Sequence, residues 1–245
     1  MAKKYNFGQV SNKISNNNCN EIICILDGSS SMSVLKKSTV DGFNEFLLSQ
    51  KNKNRKKKTY LTVVIFHSKN YTNFGNFGNF GTYEEVSNNA KFDVLYNKID
   101  IKEAELLTYN AYRCDGMTPL FDAVGEVISK VSNNKTLCLI MTDGEENYSK
   151  MYNSTNIKNM IEAKKELGWS FVFIGANMTS FKDYNNIGLG GFTISMSNTE
   201  QGYKDAWNCM SNIYNTWEKD NKLTKSSLNA NVELFSSNLS TNELK

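Results

Sequence analysis

The stretch Glu21-Ile22-Ile23-Cys24-Ile25-Leu26-Asp27-Gly28-Ser29-Ser30-Ser31-Met32 decides how the rest of the chain is read. From Ile22 to Leu26 every residue is apolar, with no polar residue in alternation. Such a run fits a strand covered on both faces, the habit of a parallel sheet. It stops at Asp27-Gly28, and three serines follow. A polar, turn-prone segment at the carboxyl end of a buried strand lies where open α/β sheets gather their ligand-binding loops.

Working outward, strand-like runs and helical stripes alternate. Val40, Phe43 and Leu47 recur at helical spacing and predict a first helix ending near Gln50. Residues 59–66 (TYLTVVIF) form a second β-rich run. An Asn-Phe-Gly triplet then occurs three times over residues 73–81. Gly and Asn favour turns, so this reads as an expanded hairpin loop leading into a strand near residues 82–86. Leu120, Phe121, Val124, Val127, Ile128 and Val131 mark an amphipathic helix with Pro119 in its first turn. Residues 135–141 (KTLCLIM) read as a buried strand ending at Thr142-Asp143-Gly144. A helix through Ile157, Met160, Ile161 and Leu167 follows, then strands at 169–174 and 192–196. Tyr203, Ala206, Trp207, Met210, Tyr214 and Trp217 trace the core-facing stripe of a last helix.

The pattern predicts an α/β, doubly wound, Rossmann-like fold. Its central sheet is mostly parallel with one antiparallel edge strand, and helices cover both faces. Residues 1–20 read as a polar arm, 21–220 as the domain, and 221–245 as a Ser/Asn-rich tail, loosely docked or mobile.

Composition narrows the function. Hydrophobic residues at 40% and charged residues at 22% match an ordinary globular protein, so a packed core is expected. The net charge of +3 is too small to signal nucleic-acid binding. The densest basic run, residues 51–58 (KNKNRKKK), has no aromatics interleaved for base stacking and reads as a solvated loop. No apolar run approaches the roughly 20 residues that cross a bilayer, and no secretory leader is evident, so no membrane role is expected. The cysteines, Cys19, Cys24, Cys114, Cys138 and Cys209, are odd in number and scattered, without a Cys-x-x-Cys pair. Neither a disulfide framework nor a zinc site is suggested, and a cytoplasmic setting is expected. Cys24 and Cys138 read as small buried hydrophobes.

Three polar clusters stand at element ends: Asp27-Gly28-Ser29-Ser30-Ser31, Asp115-Gly116-Met117-Thr118-Pro119, and Thr142-Asp143-Gly144-Glu145-Glu146-Asn147. Asp27, Ser29, Ser31, Thr118 and Asp143 can converge at one sheet edge although they are far apart in sequence. All five offer oxygen, which suits Mg²⁺, Mn²⁺ or Ca²⁺ rather than Zn²⁺ or Cu²⁺.

Asp-x-Ser-x-Ser, a distant Gly-x-Thr and an Asp-Gly after a strand resemble the metal-ion-dependent adhesion site (MIDAS) of von Willebrand factor A (VWA) domains. The resemblance covers about residues 21–215. It extends to small stand-alone VWA proteins of bacteria and their phages through residues 143–147 (DGEEN) and 168–177 (GWSFVFIGAN). It implies a divalent cation held by Asp27, Ser29, Ser31, Thr118 and Asp143, with a partner's carboxylate completing the shell. A protein-interaction module is implied rather than an enzyme, as part of an assembly in host cytoplasm or virion if the origin is a phage. The alternative is a Mg²⁺-dependent phosphatase or nuclease, whose sites usually need three or four converging carboxylates. Ser30 stands where a Gly is common between the serines, and Asp115 where a second Gly is common before Thr118.

The neighbouring polar residues read more plainly. Glu145 and Glu146 are expected in a solvated loop, Asp115 and Asp122 at the surface or in turns. His67, the single histidine, has no paired nucleophile.

Overall fold

The side chains of the first strand show why it carries no polar alternation. The computed structural model describes residues 19–53, 57–68, 90–131, 135–176, 187–188, 193–220, 222–224 and 226–227. In it β1 (Cys19–Asp27) is buried along its whole length. Ile22, Cys24 and Leu26 enter one hydrophobic cluster, while Ile23 and Ile25 enter another. Between two helical layers the middle of the strand, residues 22–26, is apolar at every position, because successive side chains point to opposite faces and both are covered.

The chain continues through a short 3-10 helix (Ser30–Leu35), α1 (Lys36–Lys51), β2 (Lys58–Ser68), β3 (Ala90–Asp100) and α2 (Leu120–Lys130). Then come β4 (Thr136–Thr142), α3 (Ser154–Glu166), β5 (Ser170–Ala176), β6 (Thr193–Met196) and α4 (Glu200–Asp220). The sheet order is β3-β2-β1-β4-β5-β6. Among the described strands only the β2–β3 pairing is antiparallel, and β3 lies at the edge. The doubly wound sheet with one antiparallel edge strand is therefore as expected.

Helices α1 and α4 cover one face, α2 and α3 the other. The α1–α4 contact is close because Gly42 has no side chain: a Cβ there would stand 2.2 Å from a Trp207 ring carbon. Phe43 meets the same indole edge-on at 5.4 Å. The stripe of Tyr203, Trp207, Met210, Tyr214 and Trp217 is buried, as its spacing predicts. Cys24 and Cys138 are buried free thiols within the two clusters. Among the described residues, no helix is long and apolar enough to cross a membrane.

Several local expectations need correction. The strand expected near residues 82–86 lies outside the described residues; the described partner of β2 is β3, farther along the chain. The first strand begins at Cys19, two residues inside the stretch read as an arm. The 3-10 helix was not legible, since its six residues are too few for a periodic signal. Pro119 sits at the N-cap of α2 rather than in its first turn. Beyond α4, Leu223 is buried in the first cluster.

The strand order reverses direction at β1. The chain first adds β2 on one side of β1 and later β4 on the other. Such a reversal opens a crevice between the loops that leave the carboxyl ends of the two strands. Asp27 ends β1, and Asp143 directly follows β4.

Candidate metal centre

Asp27 is buried at the carboxyl end of β1. Its Oδ1 accepts the Ser29 backbone N–H at 2.7 Å, a local turn that folds the serine loop back over the strand end. Its Oδ2 accepts the Thr142 hydroxyl from neighbouring β4. Ser29 Oγ and Ser31 Oγ stand 3.0 Å apart. Ser31 Oγ donates to Asp143 Oδ1 at 2.8 Å, which leaves Ser29 as the donor between the two serines. Two loops 112 residues apart thus share one oxygen cluster.

Thr118 arrives from the third loop. It is buried, and a Cβ added at Gly144 would lie 3.4 Å from Thr118 Oγ1 and 4.0 Å from Ser31 Oγ. The two hydroxyls therefore flank the same glycine, and all five residues singled out from the sequence meet at one edge of the sheet.

Asn147 clamps the Thr118 backbone on both sides: its Oδ1 accepts the Thr118 N–H at 2.9 Å, and its own N–H donates to the Thr118 carbonyl at 3.2 Å. Ser68 fixes the preceding residue, its N–H donating to Met117 O at 3.1 Å while its Oγ accepts the Met117 N–H at 2.7 Å. Gly116, at φ 68, packs so tightly on Ser68 that a Cβ would fall 2.3 Å from its carbonyl oxygen. Ser30 N–H donates to Gly116 O at 3.0 Å and ties the first loop to the second.

Two expectations about neighbouring acids are overturned. Glu146 is not a solvated loop residue: its carboxylate accepts the Phe121 N–H at 2.8 Å and the Tyr148 and Ser149 N–H groups, both at 2.7 Å. A negative group at the start of α2 satisfies an orphan donor and opposes the helix dipole. Asp122 is buried, not a surface group, and accepts the N–H groups of Lys150, Met151 and Tyr152 at 2.9, 2.8 and 2.9 Å. Both knit the loop after β4 to α2 and so hold Asp143 against Thr118. The one sequence signal for them was the company of Glu146 and Asn147 in the loop that carries Asp143. Thr142, also missed, ends a strand like any β-branched residue, and only the strand pairing shows that it faces Asp27.

His67 is buried in a structural position. Its Nδ1 is 2.8 Å from the Ser68 carbonyl, so that nitrogen carries the proton. Its Nε2 lies 3.6 Å from Asp93 on β3.

The electrostatics of the cluster are those of acids lacking a counter-charge. Burial pushes the Asp27 carboxyl up to about 6, against the opposing pull of its hydrogen bonds from Thr142 and Ser29. Burial raises Asp143 as well. Among the described residues no Lys, Arg or His pairs with either. Two buried carboxylates without a cation are costly to ionise, and a divalent ion is the direct remedy.

The oxygens also lie close enough together to share one ion. Cis oxygens around a Mg²⁺ with bonds of about 2.1 Å stand roughly 3.0 Å apart. The Ser29–Ser31 and Ser31–Asp143 separations are 3.0 and 2.8 Å. No three residues among His, Cys, Asp and Glu gather to hold a metal among the described residues, so the donor set depends on hydroxyls.

No family model matches the sequence, and no curated protein matches it significantly. Solved structures do resemble it. The pilus adhesin SpaC from Lactobacillus rhamnosus GG aligns with a TM-score of 0.56 at 15% identity over 80% of this chain. Proximal thread matrix protein 1 from the mussel byssus aligns with a TM-score of 0.53 at 14% identity over 79%. A second structure of the mussel protein, with a zinc-occupied MIDAS motif, gives the same score and identity. The chain spans 30% of the adhesin and 45% of the mussel protein, so each is a much longer molecule. Sheet order, helix placement and these likenesses agree: this chain has the fold of a von Willebrand factor A domain.

Proposed function

We propose that this chain is a divalent-metal-dependent protein-interaction module whose metal lies among Asp27, Ser29, Ser31, Thr118 and Asp143. The observation that carries the proposal is the run of close oxygens from Ser29 through Ser31 to Asp143, set beside the buried Asp27. The resemblance to MIDAS sites and the zinc-occupied motif of the mussel protein support a metal here. A bound cation supplies Lewis acidity toward an external ligand. With three of the five donors neutral, the ion keeps enough positive charge to attract a carboxylate from a partner protein.

A hydrolase is less well supported. Glu146 and Asp122 are occupied by backbone amides, and no three acids gather among the described residues for metal-assisted displacement.

Calorimetry with Mg²⁺ tests the site, and a pull-down in Mg²⁺ against chelator tests the function. Asp143→Ala is expected to weaken Mg²⁺ binding more than about a hundredfold, because changes behind the ligands alone cost about 10- to 100-fold. Partners captured in Mg²⁺ are expected to be lost in chelator and with Thr118→Ala. Unaltered Mg²⁺ binding in Asp143→Ala would overturn the assignment of the site.

A further inference from the structure

The carboxyl end of β2 contributes none of the five candidate donors, yet it holds two of the loops that do. In the first loop, Gly28 N–H donates to the Phe66 carbonyl at 2.8 Å. Ser68 grips the second loop with three groups. Its N–H and its Oγ bind the Met117 carbonyl and N–H, and its carbonyl oxygen is the surface on which Gly116 packs. Thr118 follows directly, so its backbone is held between Asn147 on one side and Ser68 on the other.

His67 lies between those two contacts. Its Nδ1–H donates to the Ser68 carbonyl at 2.8 Å and so fixes the direction of that carbonyl. Gly116 approaches the same oxygen so closely that a Cβ would fall 2.3 Å from it, which leaves no slack to absorb a turn of the peptide. Packing alone does not call for a histidine at this place. The residue is 3% exposed, and its Nε2 is buried without a hydrogen bond, facing Asp93 Oδ2 at 3.6 Å across the β2–β3 ladder. An apolar side chain of similar size would fill the space and leave no polar atom unpaired, which by itself favours stability. Among the described residues, the hydrogen bond that the ring makes is the one to Ser68.

We infer that His67 is a positioning residue of the metal centre: its Nδ1–H holds the Ser68 carbonyl, and through Ser68 and Met117 it sets the place of the Thr118 hydroxyl. The inference rests on the metal-dependent reading above and adds a residue that is not itself among the candidate ligands. Groups that orient a metal's ligands from behind contribute to its affinity without touching it.

The two ring nitrogens can be tested apart, because Asn places its amide nitrogen near the position of Nδ1 and Gln near that of Nε2. Mg²⁺ affinity is measured by calorimetry on the full chain carrying His67→Asn, His67→Gln or His67→Leu, with thermal unfolding of each in chelator. His67→Asn keeps the donor to Ser68 and is expected to bind Mg²⁺ as the parent chain does. His67→Gln and His67→Leu are expected to lose about tenfold, the lower end of what such supporting groups contribute. Ser68→Ala, which removes the acceptor of the Met117 N–H, should lose a similar factor. A purely structural role would tolerate Leu best, so the affinities should follow the Nδ1 donor and not the melting temperatures. Equal Mg²⁺ affinity in the Asn, Gln and Leu variants, whether near that of the parent or uniformly reduced, would overturn the inference and leave the metal reading standing. Should His67→Leu fail to fold, the comparison of Asn with Gln decides alone. A parent chain that binds no Mg²⁺ would refute the metal reading and the inference with it.

Discussion

The two ends of β1 hold two buried acids, and the chain treats them oppositely. Glu21, near the amino end, is 1% exposed and is answered from within the fold. Lys98 brings its ammonium to 3.9 Å from the carboxylate, and the Thr62 hydroxyl lies 3.4 Å away. Lys98 accepts an unusual φ of 52 at a register shift of the β2–β3 ladder, with its N–H donated to Thr62 Oγ1 at 3.1 Å. Non-glycine residues rarely adopt that conformation. Asp27, at the carboxyl end, receives only neutral donors from Ser29 and Thr142. A fold that supplies a cation to one buried acid and withholds it from the other leaves the second for something from solution. That contrast supports the proposed metal site at Asp27 more sharply than burial does.

Removing the acids should break the contrast most visibly. Asp27→Asn is expected to lower Mg²⁺ affinity more than about a hundredfold while leaving the metal-free chain as stable as before or more so, since an unpaired buried charge has gone. Calorimetry and thermal unfolding in chelator check the two halves. A strongly destabilised Asp27→Asn chain would mean that Asp27 is structural like Glu21.

The pH dependence sharpens the same point. The folded chain raises the Asp27 carboxyl from 3.8 to about 6, so it binds that proton more tightly than the unfolded chain does. In chelator, the stabilising contribution of this group is full below the lower value and is lost as pH rises through the higher one. A bound cation reverses the dependence, because proton and metal compete for the same oxygens. The melting temperature in chelator should therefore fall by a few degrees between pH 4 and 7 relative to Asp27→Asn, while stabilisation by Mg²⁺ grows over that range. A difference between the two chains that is flat with pH would contradict the metal-free burial of Asp27.

At the other end of the strand the effect is smaller. Lys98→Met should destabilise the chain by about 1 kcal/mol in chemical denaturation, discounted because the ammonium is 33% exposed. It should leave Mg²⁺ affinity unchanged. A Mg²⁺ effect from Lys98 would mean that the two ends are coupled through the strand.

Much of this was legible in the residues because local rules suffice for it. Unbroken apolar runs such as residues 22–26 announce strands buried on both faces, and the Trp207 and Trp217 stripe announces a helix packed on them. Asp27, Ser29 and Ser31 lie close enough in sequence for one turn to converge them. β3 was less readable, since its alternation is that of a half-covered edge strand. Glu146, Asn147 and Asp122 were misjudged or left without a role because their partners are backbone amides of other segments, 25 to 30 residues away. Hydrogen bonds to amides so far along the chain follow no sequence pattern.

The sequence by itself determined the layered α/β architecture and pointed to the five oxygen-bearing side chains that gather at its rim, because hydrophobic periodicity and short-range turn chemistry are written residue by residue. Only the tertiary structure decided that Thr142 faces Asp27 and that Asn147 locks Thr118 in place. Those relations depend on which strands lie side by side and which loops meet across the switch point. Such distances are closed by packing, and chain order does not encode them.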